Sequence, residues 1–198
     1  MARAAGGGRV VAAIAGAPGS GKSTQADDLA ARLNAQRPGI ASVLPMDGYH
    51  YDDLYLVPAG LRPRKGAPDT FDVGGFFHTL SRIRRRDEPF VAVPVFDRSI
   101  EIARAGARMI SADVPIIIAE GNYLLLDRDP WSRLRPLYDV AVLLDVPEPV
   151  LRQRLMARWA HYNLTEAETG RKLEENDMPN GRTVMAESRG EDFRLPNG

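Results

Sequence analysis

The sequence predicts a three-layer α/β/α fold with a mostly parallel five-stranded sheet, on three observations. A Gly-rich turn, Gly16-Ala17-Pro18-Gly19-Ser20-Gly21-Lys22-Ser23, lies between an apolar run, Arg9 to Ala15, and a segment of helical period. Val114 to Ala119 and Val140 to Val146 are continuous apolar runs, as strands covered on both faces require. These runs alternate with helical patterns, which implies parallel strands joined by right-handed crossovers.

Each element follows from its local pattern. The run before the Gly-rich turn is short and rich in Val, Ile and Ala, hence a strand. Leu29, Ala30 and Leu33 form one face of the helix behind the turn. Ile40 to Pro45 reads as a second strand, ending at Met46-Asp47. Gly48 to Asp72 is rich in Tyr, Asp, Pro and Gly and has no period; long irregular segments of this kind inside compact domains usually carry function. Val73 to Arg86 suits a helix with Phe76, Phe77, Leu80 and Ile83 on one side, and Phe90 to Phe96 suits a strand. Ile100 to Ile110 fits neither template cleanly. Glu148 to Tyr162 predicts a helix with Pro147 and Pro149 at its start, where proline is tolerated. Glu166 to Asn176 and Pro179 to Arg189 predict two further helices, and Asp192 to Leu195 a last short strand.

Composition narrows the function classes. At 198 residues the chain suits one domain over 1–198, with residues 1–8 a flexible Gly-rich tail. Lys and Arg total 26 and Asp and Glu total 26, so a general polyanion-binding role is disfavoured and no nucleic acid is expected as a partner. The run Arg82, Arg84, Arg85, Arg86 complements a helix C-terminus and is offset by Asp87 and Glu88. Cysteine is absent, which excludes disulfides, thiolate zinc sites and thiol catalysis. The expectation is a cytoplasmic protein, monomer or homodimer, with no membrane partner, since no apolar run approaches the roughly eighteen residues of a span.

The Gly-rich turn has the spacing G-x-x-x-x-G-K-S, the phosphate-cradling P-loop. Unpaired N–H groups at a helix start, together with the helix dipole, attract the phosphates of a nucleoside triphosphate. Gly16, Gly19 and Gly21 let the chain bend so that these groups converge. The cradle runs through Ala17, Pro18, Ser20 and Thr24; Lys22 reaches the β- and γ-phosphates, and the Ser23 hydroxyl is placed to hold Mg²⁺. Glu120, at the end of a buried strand, fits an acid acting on Mg²⁺ or its waters. Asp47, at the end of the second strand, fits the group that accepts a proton from an acceptor hydroxyl. Arg62, Arg64 and Lys65 read equally as an anion-binding set and as loop charges.

Four later motifs follow the P-loop in order: Pro45-Met46-Asp47-Gly48-Tyr49-His50, Lys65-Gly66-Ala67-Pro68-Asp69-Thr70-Phe71-Asp72, Val93-Pro94-Val95-Phe96-Asp97-Arg98 and Ala119-Glu120-Gly121-Asn122-Tyr123. With the P-loop they resemble the uridine kinase, pantothenate kinase and phosphoribulokinase group of P-loop kinases, and within it a bacterial subgroup labelled fructose-transport-system kinases. The likeness runs from Val10 to Leu195. It implies a P-loop NTPase fold with a helical lid over 152–178, an acceptor-binding segment over 47–72, and ATP as the nucleotide. It also implies Asp47 as the catalytic aspartate, Asp69 and Glu120 as acceptor contacts, and Arg154 and Arg158 as lid arginines that meet the phosphates. Tyr49 and Arg98, inside matched motifs, join the acceptor set. Uridine kinases carry Asp-Asp-Phe-Tyr where this chain has Met-Asp-Gly-Tyr-His, and 51–65 also differs, which speaks against uridine itself.

The expected function is therefore transfer of the γ-phosphoryl of MgATP to an alcohol of a small metabolite: a sugar, a pantothenate-like acid or a nucleoside. The catalytic set is Lys22, Asp47 and Arg158. A nucleoside monophosphate kinase is the alternative, because the P-loop also looks like that of adenylate kinase; a regulatory ATPase without an acceptor is another.

Overall fold

The computed structural model describes residues 8–198, so the expected tail, apart from Gly8, lies outside the described residues. β1 (Val10–Gly16) runs into the Gly-rich turn, and α1 (Lys22–Gln36) begins directly behind it. β2 (Ala41–Pro45) passes into a 3-10 turn, Met46–Tyr49. The segment that follows holds only α2 (Asp53–Leu56) and two further 3-10 turns before α3 (Val73–Arg85). β3 (Phe90–Asp97), β4 (Ile102–Ser111) and β5 (Ile116–Gly121) come next. After a 3-10 stretch, Trp131–Leu137, come β6 (Val140–Asp145), α4 (Glu148–His161), α5 (Glu166–Lys172), α6 (Met178–Glu187) and β7 (Phe193–Pro196).

Five strands form one sheet in the order β2-β5-β1-β6-β7, and every pairing in it is parallel. β3 is not part of that sheet. It pairs antiparallel with β4 as a separate two-stranded hairpin. Its turn is tied by Asp97, whose carboxylate accepts from the Ser99 backbone N–H at 3.1 Å and from Arg104 Nε at 2.7 Å. β4 exposes a run of small residues and has little alternation, so its strand character was not visible in the residue pattern.

The sheet separates two apolar layers. Val11, Ala13 and Ala15 of β1 face the larger one, with Phe76, Leu80 and Ile83 of α3, Val91 and Val93 of the hairpin, and Trp131. Ile14 faces the other, with Ala26 and Ala30 of α1, Val43, Ile118 and Leu144. The buried stripe of α1 is thus Ala26 and Ala30 with Leu33 packed beside them; Leu29, expected on that face, stays 39 % exposed at its margin. Burial of this kind stabilises by about 25 cal/mol per Å² of apolar surface and sets the sheet's register.

The two helices expected over 166–176 and 179–189 are one continuous helical run. α5 opens with a capping box, in which the Thr165 N–H donates to the Glu168 carboxylate at 2.9 Å and the Glu168 N–H donates to Thr165 Oγ1 at 3.3 Å. It passes through a π-helical turn, Leu173–Asp177, directly into α6, with Pro179 in the first turn, where a missing N–H is tolerated. Below the sheet, Arg9 donates to the carbonyls of Val114, Ser111 and Ala112 at 2.8 Å and to that of Ile83, tying the start of β1 to the end of α3.

Register decides where chemistry is possible. Glu120 of β5 lies beside Pro45 of β2 and Ile14 of β1, so the carboxyl ends of these strands lie side by side. The P-loop, Asp47 and Glu120 therefore converge at one edge, where open parallel sheets bind ligands. Among the described residues, no helix is long and apolar enough to cross a membrane.

Candidate active site

The P-loop turn takes its shape from Gly19 and Gly21, at φ 80° and 85°, a left-handed conformation that side chains disfavour. The Ser20 N–H donates to the Ala17 carbonyl at 3.0 Å, and from beyond β7 the Asn197 amide donates to the Ser20 carbonyl at 2.7 Å. The turn is thus held from behind. At its open side the first intrahelical donor is Gln25, to Gly21 at 3.0 Å. The N–H groups of Lys22, Ser23 and Thr24 have no intrahelical partner, as at any helix start, an arrangement suited to an anion.

Asp47 reaches the same pocket because β5 ends in glycine. A Cβ on Gly121 would lie 2.4 Å from Met46 Cβ, so only glycine lets the Met46-Asp47 segment cross β5 this closely. The Asp47 carboxylate is ion-paired with Arg98 from the hairpin turn, and its carbonyl accepts from His50 Nδ1 at 2.8 Å. Burial pushes the Asp47 carboxyl up, but Arg98, His50 and Lys22 together outweigh it and hold the pKa below the ordinary value.

Three further charged groups complete the centre. Lys22 is 8 % exposed and its ammonium makes no hydrogen bond among the described residues; burial depresses its pKa, with Glu120 and Asp47 acting the other way. Glu120 is 5 % exposed and accepts from Ser23 Oγ at 3.0 Å. Burial raises its pKa and the nearby Asp47 adds to the rise, against Lys22. Arg158, on α4, lines the pocket with Lys22 and Asp47, and its guanidinium has no hydrogen-bond or ion-pair partner among the described residues. Burial and the neighbouring Arg98 lower its pKa. A pocket in which a buried ammonium and a half-buried guanidinium lack side-chain partners among the described residues suits an anion.

The other sequence-expected residues are distributed differently. Asp69 lies outside this pocket, paired with Arg64 at 3.3 Å in a separate cleft with Arg128 and Trp131. Tyr49 is in the core, edge-on to Phe76 at 5.0 Å, and burial pushes its hydroxyl up to about 12. Arg154 turns away from Arg158 and donates to the Asn197 carbonyl at 2.9 Å. Thr24 is exposed in the first turn of α1. Sequence reasoning did not single out Asn122, Asn176, Asp177 or Lys172, all of which line the pocket. Asn122 stood inside a quoted motif. Asn176 and Asp177 are delivered by the π turn, which leaves no pattern in the residues.

No family model matches the chain. "Uncharacterized protein YggC" of Escherichia coli is 34 % identical over 183 residues, spanning 91 % of this chain and 75 % of that one. The protein named "Putative uridine kinase C227.14" of Schizosaccharomyces pombe is 36 % identical over 180 residues, spanning 87 % of this chain and 76 % of its own. The chain belongs to the uridine kinase and phosphoribulokinase group of P-loop kinases. Consistent with this, the crystal structure described as a "putative fructose transport system kinase" from Silicibacter sp. TM1040 is 43 % identical, with a TM-score of 0.87 over 96 % of this P-loop kinase and 90 % of that chain. The structure of YFH7 from Saccharomyces cerevisiae shares the fold at 20 % identity, with a TM-score of 0.77 over 95 % and 92 % of the two chains.

Proposed function

We propose that this P-loop kinase moves the γ-phosphoryl of ATP to an alcohol group of a small metabolite. The observation that carries the reading is the pocket itself: the buried Lys22 ammonium and the half-buried Arg158 guanidinium, neither with a hydrogen-bond partner among the described residues, line it with the ionised carboxylate of Asp47. The cations suit the transferring phosphoryl group, and the carboxylate suits a hydroxyl. A phosphate acceptor needs no proton acceptor and would be repelled by Asp47, which favours an alcohol over a nucleoside monophosphate.

In this reading the P-loop amides and Lys22 hold the triphosphate, and Asp47 aligns the acceptor hydroxyl. The hydroxyl oxygen bonds to the γ-phosphorus as the bond to the ADP oxygen breaks, and the hydroxyl proton passes to Asp47. With its low pKa Asp47 is a weak base, which fits a loose transition state in which the proton leaves late and alignment matters most. Arg158 meets the charge on the equatorial oxygens. The region 152–178 acts as the lid that delivers Arg158, and 47–72 contributes the acceptor wall through Asp47 and Lys65.

The oxygen pair Ser23 Oγ and Glu120 fits Mg²⁺, which takes one or two protein oxygens beside substrate phosphates and waters. When bound there, the ion would neutralise phosphate charge. Ser23 would supply a direct ligand and Glu120 would orient one of the ion's waters.

A coupled ADP-release screen over sugars, polyols, hydroxy acids, nucleosides and nucleoside monophosphates tests the proposal. At least one alcohol should raise ADP release about tenfold or more above the acceptor-free rate. Stimulation by nucleoside monophosphates alone would overturn it.

A further inference from the structure

The acceptor side of the pocket holds a basic group and an amide to which the mechanism assigns no part of the substrate. The Lys65 side chain is only 5 % exposed and lines the pocket beside Asp47. Two of its three ammonium protons are taken, by Asp53 Oδ1 and by the Glu101 carbonyl, each at 2.7 Å. Asp53 also pairs with Arg62 at 2.7 Å, so one carboxylate is shared by two cations and the trio carries a net positive charge. The Lys65-Gly66 backbone is held at both residues: Asn176 Nδ2 donates to the Lys65 carbonyl at 2.9 Å, and Tyr123 Oη donates to the Gly66 carbonyl at 2.6 Å. A buried ammonium so firmly positioned, with a proton to give, is a built anion contact.

Two further observations point the same way. A cavity of about 300 Å³ adjoins the pocket at Lys65 and is walled by Arg62, Lys65, Arg171 and Lys172 against Glu168 and Glu175. Glu168 is already engaged in the capping box at Thr165, and the Asp177 carboxylate in the main pocket accepts from Trp159 Nε1 at 2.7 Å. The Lys172 ammonium rests 4.2 Å from the centre of the Trp159 ring, lining both spaces. Asn122 is 9 % exposed and lines the pocket, and its Oδ1 has no hydrogen-bond partner among the described residues. A buried amide oxygen left without a donor calls for a ligand that supplies one.

We propose that the acceptor carries an anionic group, a carboxylate or a phosphate, received by Lys65 and Lys172, while the Asn122 amide holds a neighbouring hydroxyl. The substrate class is thus an acidic polyol, with the reacting hydroxyl at Asp47 and the charge held away from it. This rests on the alcohol-kinase reading above.

Matched triplets decide it: a polyol, the aldonic acid of the same length and its terminal phosphomonoester, from three to six carbons, each assayed for ADP release by the full chain. For at least one triplet, the acid or the phosphoester should exceed its neutral parent in kcat/KM by about tenfold or more, the range of a charge-assisted hydrogen bond. Whichever anionic arm does so identifies the source of the charge. Asn122→Asp should cut that preference about tenfold by placing a negative charge in the subsite. Lys65→Met should do the same. Lys172→Met, which removes a ring contact and a charge near Asp177 but breaks no hydrogen bond among the described residues, covers the case in which loss of the Lys65 bridges unfolds the segment. Neutral parents that match or beat their acids, or a preference unmoved in all three variants, would overturn the anionic subsite and leave the alcohol-kinase reading standing. If no member of the triplets raises ADP release while a sugar or nucleoside of the wider screen does, the anionic subsite falls and the alcohol-kinase reading stands; if nothing in either panel does while ATP still binds, both fall.

Discussion

Replacing Asp47 by Asn lowers kcat by about 10² to 10⁴, the range for loss of a positioned proton acceptor, while KM for ATP changes little. The size follows from placement. Asp47 is the carboxylate across the pocket from Lys22, and Gly121 and Arg98 hold it there. Asn preserves the shape and removes only the charge and the basicity. Steady-state kinetics of the purified variant check this, and near-normal turnover would remove Asp47 from the mechanism. The pH profile carries a second expectation. Arg98, His50 and Lys22 hold the Asp47 carboxyl below its ordinary range while burial pushes Glu120 above its own, so as pH falls Glu120 is the first of the two to gain a proton. The acid limb of kcat/KM for ATP belongs to Glu120. In Asp47→Asn it moves to lower pH, because a negative neighbour that raised the Glu120 pKa is gone and Arg98 is released. Were Asp47 the titrating group, the limb would vanish in the variant.

Arg158→Met costs about 10³ in kcat, the lower end of what an arginine facing a transferring phosphoryl group supplies. Its effect on the empty protein has the opposite sign. Burial and the charge of Arg98 lower the Arg158 pKa, so folding disfavours its charged form at every pH below the folded value. Methionine fills the same space without that cost. The nucleotide-free variant should melt at the same temperature as the parent or higher, read by calorimetry without ligands. A structural arginine would lose both activity and stability. The combination expected here, activity down and stability level or up, is the signature of a residue kept for its ligand.

How much of this was visible in the residues depends on the range over which each feature is specified. The P-loop was legible because turn, lysine and hydroxyl are adjacent in sequence, flanked by a strand pattern and a helix pattern. The buried strands β5 and β6 were legible as continuous apolar runs, and Asp47 and Glu120 as acids at strand ends. Features made by distant parts of the chain were not. Arg98 meets Asp47 across 51 residues of sequence, through a hairpin whose second strand shows no alternation. The π turn that delivers Asn176 and Asp177 changes the helical phase with no marker residue. Asp69 and Tyr49 sit in motifs matched to the family, yet the 3-10 turns of their segment aim one at solvent beside Arg64 and the other into the core against Phe76. A motif places a residue in the chain; the side-chain direction waits on packing that local pattern does not encode.

The central claim is that the P-loop and Asp47 serve one reaction, the passage of a phosphoryl group from ATP to an alcohol. Phosphorus NMR of the full chain incubated with ATP, Mg²⁺ and the acceptor panel tests this most directly. A new phosphomonoester resonance growing in step with ADP, and absent in Asp47→Asn over the same interval, is the expected result. ADP accompanied only by inorganic phosphate, at a rate no acceptor alters, would contradict it.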